Sequence, residues 1–339
     1  MKKEIIIVGI LLMISSPIFS QTANEYFENS MKYKAKENYT ETARLLRKAL
    51  DLEPENKEFK KEMAEVQYFK RAFYESIPLY EEMLENDRDN LIILARLSEM
   101  YSMSPKKIKS VEYAERAIAL KPKDGEINRM LARSFLEVKH YPRALKLYLE
   151  AEKALPNDKD IPFKIANCYS EISDYGNAMK YFNRSLELDP NNATKLYQAA
   201  MSFYDGNNYK RSIELYQLAE DKGYYKTTSF YDNWAIACIE LRDYNQALFY
   251  YSKAKEFAPY DRDINMSIAD VYSRKGDFSK CREILDQILE INPNDAEVIY
   301  NKGMSYYKAG NTGKAEPYFN KAFELDPSLK SLRYTKTNF

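Results

Sequence analysis

Apolar residues recur along most of the chain at i, i+3, i+4 and i+7, in stretches of about a dozen residues. That spacing predicts amphipathic helices, each burying one stripe. The stretches come in pairs, and the pairs repeat. Pro54, Pro122, Pro156, Pro190, Pro259, Pro293 and Pro327 follow one another at gaps of 68, 34, 34, 69, 34 and 34 residues, in settings such as ALDLEPEN, SLELDPNN and AFELDPSL. Each gap is one or two periods of 34, with one extra residue near Thr227. Arg88 and Tyr224 occupy the remaining phases, giving nine units that start at Ala23, Lys57, Leu91, Gly125, Lys159, Ala193, Thr228, Arg262 and Ala296.

Within this frame certain places are restricted in size. The eighth is small in all nine units: Ser30, Ala64, Ser98, Ala132, Ala166, Ala200, Ala235, Ala269 and Gly303. The twentieth is also small, from Thr42 and Ser76 to Cys281 and Ala315. The twenty-fourth is large in eight units, Leu46, Tyr80, Tyr148, Phe182, Tyr216, Tyr251, Leu285 and Phe319, with Ala114 the exception. Small residues at eight and twenty let two helix backbones approach closely, and large ones at eleven and twenty-four fill the wedge between them. Asp-Pro or Asn-Pro then stops the second helix, because proline disfavours helix in the residue before it. Pro78 and Pro317 fall inside second helices and are expected near the first turn, where a missing N–H matters little. One such pair cannot bury its own apolar face, so each must pack on its neighbours.

These residues resemble the tetratricopeptide repeat, over roughly residues 23–329. The resemblance implies an all-α fold, an α-solenoid (right-handed superhelix) of about nine helix-turn-helix units. Departures are local: Gln67 and Met83 in the second unit, Lys107 in the third where an aromatic belongs, and Tyr224 after Gly223 in place of proline in the sixth. Looser packing is expected at the third and sixth joints. Residues 330–339 are too short for another unit and are read as a tail or partial cap, with Leu329 and Leu332 over the last apolar face.

In this family the first helices line a concave side through places two, five, six, nine, twelve and thirteen. Units three to five then cluster Arg96, Arg129, Arg133, Lys164 and Asn167 there. Units five to nine add Phe163, Tyr197, Met201, Tyr204, Met266, Tyr300, Met304 and Tyr307. A cationic and amide stretch leading into aromatic and methionine residues suits an extended peptide, with guanidiniums holding carboxylates and soft apolar groups taking the neighbours. The chaperone-tail clamp of some relatives wants lysine at five with asparagine at nine. Here Lys61 meets Glu65, so that specificity is not carried over.

Composition narrows the chemistry. Lys+Arg and Asp+Glu are 51 each, without the basic excess that nucleic-acid binding uses. Nine glycines in 339 residues leave few turns for phosphate loops or β-sandwiches. A single histidine, His140, and three scattered cysteines, Cys168, Cys238 and Cys281, offer no metal set and read as a turn residue and core thiols. No GxSxG, GxxxxGK[ST] or HExxH occurs. No enzyme activity and no cofactor are expected.

Met1-Lys2-Lys3, the apolar run Ile5 to Ile14 and the SSPIFS exit match a secretory signal peptide over residues 1–20, with cleavage before Gln21. The form resembles exported proteins of Bacteroidota, placing the mature chain in the periplasm or at the outer-membrane periphery of a Gram-negative bacterium. No later run reaches membrane length. The sequence therefore points to a non-enzymatic protein- or peptide-binding scaffold of the bacterial envelope, in an assembly or secretion complex. A self-assembling structural protein is the alternative, and a glycan or small-ligand binder using Asp232 and Asp270 near Tyr197 a more distant one.

Overall fold

The computed structural model describes residues 22–120 and 123–332. The expected leader, residues 1–20, lies outside the described residues, as do Pro122 and residues 333–339. Among the described residues all regular structure is helical. The chain divides into two compact units between Lys139 and His140. The first contains α1 (Ala23–Lys34), α2 (Tyr39–Leu52), α3 (Lys57–Phe69), α4 (Phe73–Asn86), α5 (Leu91–Ser102), α6 (Lys107–Ala119) and α7 (Gly125–Glu137). The second contains α8 (Tyr141–Ala154), α9 (Ile161–Glu171), α10 (Tyr175–Leu188), α11 (Ala193–Asp205), α12 (Tyr209–Asp221) and α13 (Thr228–Glu240). It continues with α14 (Tyr244–Phe257), α15 (Arg262–Lys275), α16 (Phe278–Ile291), α17 (Ala296–Lys308), α18 (Thr312–Leu325) and a closing 3-10 turn, Pro327–Leu332. In the first unit α1 packs on α2, α3 on α4 and α5 on α6, with α7 against α5; in the second, consecutive helices from α8 onward pack on one another.

Backbone approach within a pair is visible in hydrogen bonds between the two small places. Ser76 Oγ donates to the Ala64 carbonyl at 2.8 Å, Ser98 Oγ to that of Ser110 at 3.0 Å, and Ser212 Oγ to that of Ala200 at 2.8 Å. The large residues at place twenty-four are all buried. In the third pair, where place twenty-four is Ala114, α5 buries Leu94, Leu97, Met100 and Tyr101. The only tryptophan of the sequence, Trp234, is buried in the second unit and stacks on Tyr250 at 3.9 Å. At the end of the chain Leu329 is buried against the cluster of Phe319 and Phe323.

The turns follow from capping. Asn56, Asn90, Asn192, Asp261 and Asp295 accept N–H groups of the helix that follows each, satisfying donors that a helix start leaves open. Inside eight of the nine pairs the turn has one left-handed residue, at place fifteen. Gly276 and Gly310 take it freely, but Glu37, Arg71, Lys139, Ser173, Asn207 and Arg242 hold φ of 56–62°, which costs an L-residue roughly 1 kcal/mol. The third pair has Pro105 at that place, which cannot adopt positive φ. There Ser104 Oγ accepts the Lys106 N–H at 3.1 Å instead.

Two expectations need correction. The sixth joint is not loose: Gly223 (φ 81°) ends the turn after α12, and Tyr224 folds inward to stack on Tyr197 at 4.4 Å and on Phe230 at 5.4 Å. A ring does there what proline does elsewhere. Pro78 and Pro317 are the sixth residues of α4 and α18, a turn deeper than expected. Each removes one internal bond, and both are exposed, so the freed carbonyl reaches water.

Glycine tests the close approach. A Cβ on Gly303 would lie 2.9 Å from Phe319 ring atoms that the core holds in place, whereas one on Gly176 would meet only Asp174 Oδ1 at 3.9 Å. Urea unfolding followed by Trp234 fluorescence should therefore give opposite signs. Gly303→Ala loses ~1–2 kcal/mol, because overpacking outweighs the helix gain, and Gly176→Ala gains ~0.5–1 kcal/mol.

Candidate functional site

In the first unit the basic side chains singled out by sequence are already engaged. Glu65 on α3 accepts from Lys34 Nζ of α1 at 2.8 Å and from Arg96 Nη1 of α5 at 3.1 Å. Arg96 also bonds the Tyr80 hydroxyl and lies over the rings of Tyr68 (5.0 Å) and Tyr80 (5.5 Å). Glu99 on α5 accepts from the Tyr68 hydroxyl and from Arg133 Nη1 of α7 at 3.0 Å. Arg129 is held by Glu126 at 2.6 Å. Charges of alternating sign thus run from α1 to α7, and the expected cluster for a peptide carboxylate is neutralised by the chain's own carboxylates. Burial would raise the Glu65 carboxyl, but the bonds from Lys34 and Arg96 outweigh it and hold it below the ordinary range.

Lys164 and Asn167 belong to the second unit. Both are half-buried, and Lys164 Nζ is 5.7 Å from the Phe163 ring. Phe163 and Tyr300 are not on an exposed stripe: they are 9% and 4% exposed. Place five precedes the small place eight by three residues, and in three units its ring packs on place twenty-four. Phe163 meets Phe182 at 6.0 Å, Tyr300 meets Phe319 at 5.4 Å, and half-buried Tyr197 meets Tyr216 at 5.9 Å. The Tyr197 hydroxyl also accepts from Asn233 Nδ2 at 2.9 Å. Places nine and twelve behave differently. Met201 and Tyr307 are exposed (40% and 53%) and Tyr204 and Met304 half-buried, while Met266, at place five, is also half-buried.

What the sequence did not reveal is a groove of about 370 Å³ among first helices α13, α15 and α17. Ile236, Ile239 and Met266 form its apolar lining, and Glu240, Asp270 and Arg274 its polar side. Tyr251 rises into it from α14, its hydroxyl bonded to Asp232 and Ser267. Arg274 Nε donates to Asp270 Oδ2 at 2.7 Å, while Asp270 Oδ1 is buried with no hydrogen-bond partner. Burial raises the Asp232 carboxyl; the Tyr251 hydroxyl opposes this, and Asp261 and Asp263 add to it. Ile236, Met266, Asp232 and Asp270 occupy places five and nine, so their positions were readable, but the open volume between them was not. A second cavity of about 370 Å³ lies by the ends of α14 and α16. Its cations are Lys255 and Arg262, of which Arg262 is already bound by Asp295 (2.7 Å) and Glu297 (2.6 Å).

Other chemistry is sparse. The three cysteines are buried free thiols, pushed by burial up to about 12 (Cys168 and Cys238) and 11 (Cys281), which makes them poor nucleophiles. Among the described residues no three His, Cys, Asp or Glu side chains are placed to hold a metal ion, and no helix is long and apolar enough to cross a membrane.

Three family models, each described as a tetratricopeptide repeat, match residues 296–329, 239–300, and 109–159 with 129–193, together just over half of the chain. A curated relative, tetratricopeptide repeat protein 21B of Xenopus laevis, is 28% identical over 125 residues. That match takes 37% of this chain and 9% of the relative, so the chain spans under a tenth of its length. Among solved structures, the C-terminal part of a TPR repeat-containing protein from Cytophaga hutchinsonii aligns with a TM-score of 0.58 at 16% identity, over 70% of this chain and 97% of that one. A tetratricopeptide repeat protein from Parabacteroides merdae aligns with a TM-score of 0.51 at 14% identity, over 74% and 99%.

Two measurements test the electrostatics. By denaturation followed with circular dichroism, Arg96→Ala should lose ~2–3 kcal/mol, since it removes one of the two cations on Glu65 and the partner of Tyr80 in a mostly buried network, while Arg129→Ala should lose under ~1 kcal/mol. The Glu65 contribution is complete above the ordinary glutamate value of 4.5 and disappears as pH falls through the depressed folded value. Asp232 has the opposite sign: the folded chain disfavours its charge, so Asp232→Asn should raise the melting temperature at pH 7. That gain should shrink as pH falls toward the ordinary aspartate value of 3.8.

Proposed function

The chain belongs to the tetratricopeptide repeat family, and from that premise we propose that it is a non-enzymatic scaffold gripping an extended segment of another protein on the first-helix face of its second unit. The groove of about 370 Å³ among α13, α15 and α17 carries this reading. Its size is that of a site for one or two side chains, and Met201 on α11 and Tyr307 on α17 extend exposed, adaptable apolar surface on the same face. Paired helices supply a rigid frame with a repeating line of outward places, which suits an extended guest better than a compact small molecule.

Export is the other half of the proposal. The leader-like residues 1–20 support a mature chain beginning at Gln21 in the envelope of a Gram-negative bacterium, serving an assembly or secretion complex.

Capture from an envelope extract, with partners identified by mass spectrometry, is the direct test. The wild-type chain should retain a protein that Met201→Glu/Tyr307→Glu loses by at least about tenfold, roughly 1.4 kcal/mol, while Arg129→Ala retains it. Equal recovery by the double variant would remove this face from the function. Intact mass of the recovered chain should correspond to a start at Gln21, and a retained leader would contradict export with cleavage.

A further inference from the structure

The groove can be assigned a chemical preference, and this step rests on the peptide-binding reading above. Its floor is apolar, but its polar capacity is one-sided. Asp270 uses Oδ2 on Arg274, and its other oxygen, buried and unpartnered, can only accept. An unmet buried acceptor leaves negative charge beside the groove without a hydrogen bond to offset it. Glu240 stands exposed at the edge, and Asp232 lies one hydroxyl away, through Tyr251. Glu297 also lines the groove, though Arg262 holds it. Opposing these carboxylates are Arg274, already engaged, and Lys308, whose charge acts on Asp270. Asp261 and Asp263 deepen the negative side near Asp232.

We propose that the groove receives a lysine or arginine side chain of an extended peptide, with its aliphatic stem on Ile236 and Met266 and its charged head beside the carboxylates of Asp270 and Glu240. Long cationic side chains combine these two properties, an apolar stem and a donor-rich tip. A guest carboxylate would meet Asp270 and Glu240 at close range, so an acidic segment is rejected. The preference is therefore opposite to the one that a cluster of arginines on this protein would impose.

The test uses the full mature chain and labelled heptapeptides that are identical except at the centre, which is Arg, Lys, norleucine, Gln or Glu between flanking leucines. Fluorescence anisotropy should rank Arg and Lys at least about tenfold tighter than Glu, with the gap narrowing in high salt because the mouth is solvent-exposed. Asp270→Asn should cut the Arg-over-norleucine preference about tenfold. Glu240→Gln, at an exposed position, should cut it less and serves if Asp270→Asn lowers the melting temperature. If the norleucine or Glu peptide binds as tightly as the Arg peptide, or both variants keep the preference, the cation assignment is overturned while the groove reading stands. If no peptide binds, the groove reading falls with it.

Discussion

Two helix backbones within a pair come close enough for a serine hydroxyl on one to reach a carbonyl on the other, and the fold depends on that approach. It requires a small side chain at places eight and twenty, and it creates the wedge that place twenty-four fills. Ser76 with Ala64, and Ser212 with Ala200, display the contact directly. Gly303 carries it to the limit, where even a methyl group would enter the Phe319 ring. Since a pair so built is only two helices thick, its outer apolar face needs a neighbouring pair, and the period of the sequence is the period of that need.

Against this common frame the two units use their charges differently. In the first, Lys34, Glu65, Arg96, Glu99 and Arg133 answer one another across successive first helices, and rings of Tyr68 and Tyr80 sandwich the central guanidinium. Such a chain of partners fixes helix register but leaves little for a guest. In the second, Asp270 and Asp232 are incompletely answered, and open space lies beside them. A carboxylate oxygen without a partner therefore lies beside open space in the second unit.

The repeat frame, the small and large places and the acid-proline stops were readable because each is a local rule repeated many times. The site was less readable because it depends on pairs of residues far apart in sequence. Arg96 looked available until Glu65, 31 residues earlier, was placed beside it. Comparing the charges at places six and nine of adjacent units would have exposed the pairing. Phe163 and Tyr300 were assigned to the surface by place number, although in their units the ring one turn before the small place packs into the wedge. Tyr224 looked like a defect in a proline pattern, and only the ring of Tyr197 opposite it explains the substitution. The groove required knowledge of how much volume Ile236 and Met266 leave unfilled, which no one-dimensional pattern encodes.

The left-handed residue at place fifteen has a consequence of another kind. Glu, Arg, Lys, Ser and Asn all occupy it with nearly the same backbone angle, so the packing of the two flanking helices imposes the conformation and the side chain does not. Those side chains are exposed and recur along the chain in step with the repeat, at residues 37, 71, 139, 173, 207 and 242. The protein thus has a built-in ruler of interchangeable surface pegs, at which spectroscopic labels or tethers could be mounted one repeat apart without disturbing the interior.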